Sequence, residues 1–327
     1  MSDGRDEFAL IARHFAPLAR TPAARGLLDD AAFLENAGPL VVTADAIVEG
    51  VHFLPDDPID TVAQKALRVN ISDVVAKGAA PSHYLLTLQW PSERPASEIE
   101  LFAAGLARDQ ATFGCTLLGG DTTATHGPLA VSVTMFGRPL GAVPPSRADA
   151  KAGDDVWVTG AIGDGRLGLM ALTEGLPMLD AAAIAYLVGR YRTPTPRLAL
   201  AAAIAAFAHA SMDVSDGLLG DALRIARASG VRLVLESDVI PLSPPAAAWL
   251  AAQSDRPAGL ATLLNGGDDY EILFTAAPGA RSRLLEAADD AGVPLWRIGS
   301  VQAGEGVEAG AFPVAGHVHR LGAAPGV

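Results

Sequence analysis

The sequence predicts an α/β (α+β) protein organised as two domains, and three observations carry that expectation. Apolar segments of strand length alternate with segments of helical periodicity along most of the chain. At 327 residues the chain is long for one core and suits two domains of ordinary size. The stretch 137–153, with Pro139, Pro144, Pro145 and several small residues, has the composition of a linker. The expected division is 1–148 and 149–327.

The elements follow in order. Phe8, Ile11, Ala12 and Phe15 make the apolar stripe of a helix over 7–18 that Pro17 brings to an end, and 20–28 reads as a mobile connection. A strand is expected over 39–43, closed by Asp45, and a helix over 60–78 in which Asn70, Asp73 and Lys77 share a face. A strand over 83–90, a helix over 97–113, a short strand over 116–118 and a strand over 129–136 complete the first half. The second half opens with a strand over 155–159 and a Gly-rich turn over 160–165. Helical segments follow near 167–173, 181–190 and 196–208. Strands over 231–236, 270–275 and 295–301, a helix over 280–291 and a loop-like end from Ala303 finish the chain.

Composition narrows the function. A net charge of −13 argues against a nucleic-acid binder, whose affinity comes from clustered Lys and Arg, so anionic ligands are expected to arrive with metal ions. Cys115 is the only cysteine, which excludes an internal disulfide and any multi-cysteine metal site. No apolar run has the length to cross a bilayer and the N-terminus has no signal-peptide pattern, so a cytoplasmic protein without membrane partners is expected. No Gly-x-x-x-x-Gly-Lys-Ser/Thr occurs, so a Walker-type kinase is not expected.

The chemistry concentrates at acidic junctions. In Ser211–Leu218 two carboxylates, Asp213 and Asp216, stand three residues apart where an apolar segment gives way to Gly217 and then to the helical pattern of Leu218, Leu219, Ala222, Leu223 and Ile225. Ser215 or Asp216 could serve only as a helix cap. Acidic residues recur, however, at Asp29-Asp30, Asp45, Gly119-Gly120-Asp121 and Gly266-Gly267-Asp268-Asp269. Together they read as a site for cations and the phosphates those cations carry.

These junctions, in this order, resemble the thiamine-monophosphate kinase family, part of the superfamily that also holds aminoimidazole ribonucleotide synthetase and selenophosphate synthetase. The matching motifs are Asp29-Asp30-Ala31-Ala32, Thr43-Ala44-Asp45 with Glu49-Gly50-Val51-His52-Phe53, Asn70-Ile71-Ser72-Asp73-Val74, Gly119-Gly120-Asp121, Met212 to Leu218, and Gly266-Gly267-Asp268-Asp269-Tyr270-Glu271. The resemblance implies an N-terminal α/β domain that binds ATP and magnesium and pairs in a homodimer, and a C-terminal α/β domain closing over the nucleotide. It implies the reaction of ATP with thiamine monophosphate to give ADP and thiamine diphosphate. By the same carry-over Asp30, Asp45, Asp73, Asp121, Asp213 and Asp216 hold Mg2+, with Ala44 contributing its backbone carbonyl where the family usually has Thr. Gly120, Asp121, Arg147 and Ser215 contact ATP, and His52 and Asp268 contact the thiamine phosphate. The family's Gly-Gly-Glu-Asp is shortened here by one methylene at Asp268. Its C-terminal aromatic is absent, and His317 is its expected replacement.

A selenophosphate synthetase is disfavoured because no cysteine precedes the first acidic motif, and the hydrogenase-maturation relative because the chain ends without one. Aminoimidazole ribonucleotide synthesis and a non-catalytic metal–nucleotide binding protein stay open on the residues alone.

Overall fold

In the computed structural model, which describes residues 7–28, 31–35, 38–95, 97–310 and 312, the N-terminal stripe forms helical pieces. They are α1 (Glu7–Leu10), a π-helical turn over Ile11–Phe15 and a 3-10 turn over Ala16–Leu18. The expected connection beyond them holds a 3-10 segment, Pro22–Leu27, capped by Thr21 and bent where Arg25 and Gly26 take positive φ.

The next elements are β1 (Val41–Val48), α2 (Ile59–Ala76), β2 (Ala79–Pro91), α3 (Ser97–Phe113), β3 (Thr116–Thr125) and β4 (Ala130–Pro139). They build a four-stranded sheet in the order β1-β4-β2-β3, with β2 and β3 parallel and the other pairs antiparallel. Helix α2 packs on β1, β2 and β4 and against α3. Val62, Ala66, Val69 and Val74 supply its buried side, as the periodicity predicts.

Two strands differ from expectation. β1 runs on through Asp45 to Val48 because its ladder with β4 continues, Asp45 opposite Val133 and Val48 opposite Ala130. β3 continues through Gly119-Gly120-Asp121 because β2 pairs with it as far as Pro91 and Thr125. Gly120 is required there: at φ +156° its Cα approaches β2 so closely that a Cβ would lie 1.7 Å from the Leu86 carbonyl oxygen.

After an irregular stretch come β5 (Asp155–Thr159), α4 (Asp164–Thr173), α5 (Ala181–Arg192), a 3-10 turn over Leu198–Leu200, α6 (Ala201–Phe207), β6 (Ala208–Asp213) and α7 (Leu218–Ser229). β7 (Arg232–Leu235), α8 (Pro244–Ala251), α9 (Arg256–Leu264), β8 (Ile272–Ala276), α10 (Arg281–Ala291), β9 (Leu295–Gln302) and β10 (Gly306–Glu308) follow. These strands make a six-stranded sheet in the order β10-β7-β9-β5-β8-β6, antiparallel except at the β10–β7 edge. Val156, Val158, Met212, Leu219, Ile225, Leu273 and Ile298 fill its core. Leu167, Leu187, Trp249 and Leu263 form a second cluster. Helices α8 and α9 and strand β10 were not among the expected elements.

The chain divides into two compact units, Met1–Pro145 with Arg192–Ala206, and Ser146–Tyr191 with Phe207–Val327. The return of Arg192–Ala206 to the first unit has no signal in composition. Within that unit Arg68 donates to the carbonyls of Thr193 and Pro194 at 3.2 and 3.1 Å, and Arg192 pairs with the buried Asp57 at 2.6 Å. Among the described residues no helix is long and apolar enough to cross a membrane.

Candidate active site

In the first unit the structure gathers the shared face of α2 against β1. Thr43 Oγ1 donates to Asp73 Oδ2 at 2.6 Å, and the Asp45 N–H donates to Asn70 Oδ1 at 2.9 Å. Asn70 is held in turn by its amide, which donates to the Ala66 carbonyl at 3.0 Å. The Asn70–Asp73 face is therefore a contact with the carboxylate-bearing strand. Ala44, with its side chain on the opposite face of β1 from Thr43 and Asp45, is exposed. His52 lies in the turn after β1, its Nδ1 accepting from the Val48 N–H at 3.1 Å, while the buried Lys65 donates to the His52 carbonyl at 2.8 Å.

Asp121 is not part of that group. Val133 stands opposite both Asp45 and Leu86, and Leu86 opposite Gly120, so Asp45 and the Gly120-Asp121 pair occupy the two outer strands. Three strand spacings, about 14 Å, separate them. Asp121 is exposed and accepts from Thr123 Oγ1 at 3.2 Å. Beside it a cavity of about 530 Å3 is lined by Phe15, Leu27, Leu34, Leu85, Gly120 and Asp121 among others. Asp30 and His317 lie outside the described residues.

In the second unit three junctions meet. The turn between β6 and α7 and the turn before β8 are bonded as a pair: Val214 N–H to the Glu271 carbonyl at 2.7 Å, Tyr270 N–H to the Val214 carbonyl at 2.8 Å and Asp268 N–H to the Ser215 carbonyl at 3.0 Å. Gly217, at φ +113°, passes so near the second turn that a Cβ would lie 2.7 Å from the Asn265 carbonyl carbon. Asp268 and Tyr270 themselves hold positive φ, 71° and 51°, which costs non-glycine residues about 1–3 kcal/mol each. Asp269 between them is fully buried, and its carboxylate accepts from the N–H groups of Gly163 and Gly165 at the start of α4, at 2.7 and 3.0 Å. Burial lifts its pKa well above the usual carboxylate range against those two bonds. The buried Arg190 braces the same turn, donating to Glu271 Oε1 at 2.8 Å and to the Asp269 carbonyl at 3.2 Å.

Neither Ser215 nor Asp216 is the N-cap of α7. Gly217 occupies that position and makes no side-chain cap. The turn is held instead by Asp221, whose Oδ2 accepts from the N–H groups of both Ser215 and Asp216 at 3.1 Å. Burial pushes Asp221 up to about 6. Arg224 pairs with Asp221 and, at 2.5 Å, with Asp216 Oδ2. Asp213 closes β6 opposite Ile272 and is buried. Arg147 is exposed, its carbonyl accepting from Ser229 Oγ at 2.9 Å.

Sequence reasoning missed Asp221, Arg224 and Arg190. An acid in the first turn of a helix is a recognisable signal for Asp221; Arg190 has no local signal, since its partners stand on other elements.

Among the described residues no three acidic, histidine or cysteine side chains converge into a metal cage. The donors present are hard oxygens: Asp45 and Asp73 with Thr43 in the first unit, Asp213 and Asp216 in the second. That set fits magnesium, an ion that binds through one or two carboxylates and keeps waters or substrate phosphates as its other ligands.

The family model for AIR synthase related protein, N-terminal domain, matches residues 28–138, and that for the C-terminal domain matches 151–311. The chain is 46% identical to the thiamine-monophosphate kinase of Caulobacter vibrioides over 93% of this chain and 86% of that protein. The crystal structure of thiamine-monophosphate kinase from Stenotrophomonas maltophilia K279a superposes with a TM-score of 0.82 at 38% identity, covering 94% of this chain and 97% of that one. A structure described as AaThiL complexed with AMPPCP and TMP gives a TM-score of 0.76 at 32% identity, covering 89% and 91%. The hard-oxygen turns and the paired Ser215 and Asp268 junctions thus sit in an AIR synthase related fold, and the chain belongs to the thiamine-monophosphate kinase family of enzymes.

Proposed function

We propose that this chain transfers the terminal phosphoryl group of ATP directly to the phosphate of thiamine monophosphate, giving thiamine diphosphate and ADP. A phosphate oxygen of the acceptor forms the new P–O bond as the bond to the β,γ-bridging oxygen of ATP breaks. The observation that carries this reading is the bonded pair of turns in the second unit, which sets Ser215 beside Asp268 through the 3.0 Å contact. In the relatives at 46% and 38% identity the named activity is the same, and AMPPCP and TMP are bound together in AaThiL.

The acceptor phosphate has a second pKa of about 6 and is largely ionised near neutrality, so no strong general base is needed. The obstacle is repulsion: two unit charges about 4 Å apart oppose one another by about 4 kcal/mol at an effective dielectric near 20. Bound Mg2+ would supply charge cancellation between the meeting phosphates. In the first unit Asp45 and Asp73, with the Ala44 carbonyl, would hold Mg2+; in the second, Asp213 and Asp216 would hold Mg2+. Because Asp45 and Asp121 stand about 14 Å apart across the sheet, one ion cannot take both directly, and Asp121 would serve another ion. Ser215 and Arg147 contribute donors to ATP. The apolar cavity beside Gly120 and Asp121 suits a planar base. Asp268 offers a carboxylate to the cationic thiazolium, with His52 and His317 as further substrate contacts. Alignment and electrostatic relief then account for the transfer.

We also read the protein as a cytoplasmic homodimer. For the dimer the support is that β1 and β3 are the outermost strands of the four-stranded sheet among the described residues, and that β1 carries the exposed Val42.

A coupled assay of ADP release with thiamine and thiamine monophosphate side by side tests the reading. Turnover is expected with thiamine monophosphate alone. Comparable turnover of free thiamine would exclude the assignment, since a hydroxyl acceptor calls for a positioned base. ATP binding without turnover of either would leave a binding protein.

A further inference from the structure

We propose that Arg224 sets the cation affinity of the 213–217 turn: it holds the Asp216 carboxylate in the metal-free chain and releases it when a divalent cation binds. This rests on reading Asp216 as a magnesium ligand.

The geometry is a two-pronged clamp carried on α7. Asp221 reaches back from the first helical turn and fixes the backbone of Ser215 and Asp216 through two N–H bonds at 3.1 Å to one carboxylate oxygen. Its other oxygen is taken by Arg224 Nη1. The second arm of the same guanidinium, Nη2, lies 2.5 Å from Asp216 Oδ2. A planar guanidinium with fixed donor directions can span two carboxylates in this way, where a lysine ammonium offers a single point charge.

The two contacts are unequal. The Asp221 side chain is 0% exposed, whereas Asp216 is 27% and Arg224 38% exposed. Breaking the buried pair would leave a desolvated carboxylate uncompensated. Breaking the outer pair exchanges one partly hydrated contact for another and is the weaker of the two. Arg224 can therefore let go of Asp216 while staying paired to Asp221, and the Asp216 oxygen it covers becomes available to a cation. While the guanidinium remains on that oxygen, it competes with the cation both for the ligand and through like charge.

The test is Mn2+ binding to the full-length protein without nucleotide, followed by electron paramagnetic resonance, with thermal melts on the same samples. Arg224→Gln keeps a donor for Asp221 and removes the charge. It is expected to lower the Mn2+ Kd about two- to fivefold, the range set by a partly exposed ion pair. Arg224→Lys, which cannot span both carboxylates, is expected to fall between the wild type and Gln. Asp216→Asn should raise the Kd, and adding Arg224→Gln to it should lower the Kd by less than it does in the wild type, since only the like-charge part of the competition is left to remove. If Arg224→Gln does not fold, the lysine variant carries the measurement. Wild-type Mn2+ affinity in the folded Gln or Lys variants, with Asp216→Asn still weakening binding, overturns the role of Arg224 alone. An Asp216→Asn protein that binds Mn2+ like the wild type removes Asp216 from the metal site and overturns both.

Discussion

Asp268 donates its backbone N–H to the Ser215 carbonyl at 3.0 Å, so the residue proposed to meet thiamine monophosphate is tied to the one proposed to meet ATP. Asp268 stands at φ 71°, and the bonds of Asp269 to Gly163 and Gly165 keep its neighbour in place. The side chain is thus presented by a strained but braced turn. Asp268→Asn keeps the shape of the side chain, and the bond to Ser215 is made by the backbone N–H, which the substitution leaves in place. It removes the charge offered to the thiazolium. The KM for thiamine monophosphate is expected to rise about tenfold, the worth of one charge-assisted contact, with the KM for ATP little changed. Steady-state kinetics varying each substrate separately will show this, and an equal rise in both constants would move Asp268 away from the thiamine end.

Asp45→Asn and Asp213→Asn should each abolish turnover in a folded protein. Each change removes a hard anionic ligand and keeps the side-chain shape, and the Asp45 N–H to Asn70 is untouched. A metal ligand that supports several kcal/mol of charge stabilisation corresponds to at least about a 100-fold loss in kcat. Rates in excess magnesium and melts on one preparation check both halves. Near-normal rates would leave these aspartates as turn and strand residues only.

Gly120→Ala should destabilise the protein. The new Cβ would sit 1.7 Å from the Leu86 carbonyl oxygen and 2.6 Å from its carbon, both backbone atoms that move only if β2 and β3 separate. Overpacking of this kind costs about 1–3 kcal/mol or more. A lowered melting midpoint together with a raised KM for ATP is expected, and an unchanged midpoint would show that β3 is not paired to β2 at this point.

Asp155 gives a pH test in the second unit. Hydrogen bonds from Arg281, the largest influence, hold its carboxyl below the usual range against the opposing effect of burial, with Arg297 adding to Arg281. A depressed folded pKa means that its contribution to stability is complete above the unfolded value of about 3.9 and is lost as pH falls through the folded value. Asp155→Asn should therefore lower the melting midpoint at pH 7 and make the further loss below about pH 4 shallower than in the wild type. Parallel acid limbs in the two proteins would contradict this.

Much of the fold was legible in local pattern. Helix α3 covers the residues that its periodicity marks, 97–113, and β5, α7 and α10 begin within a residue of expectation. Apolar spacing suffices for such elements, because one face is buried whatever it packs against. Helices α8 and α9 were equally readable and were missed. Ser243 and Asp255 accept from the N–H groups of Ala246 and Ala258 as side-chain caps, each with a proline in the first turn.

The sequence by itself determined the donor chemistry: hard carboxylates at repeated junctions, one cysteine, no Walker loop, and the strand-to-helix turn that carries Asp213, Ser215 and Asp216. Only the tertiary structure decided where those junctions stand. Asp45 and Asp121 lie inside strands because strand length is set by the partner, and β4 and β2 continue past both. Asp73 faces Thr43 because α2 packs on β1. Asp216 is clamped by Arg224, and Asp268 is braced through Asp269 and Arg190, by contacts that need distant elements in register. Periodicity records which face of an element is buried; it holds no record of which carboxylate or guanidinium that face will meet.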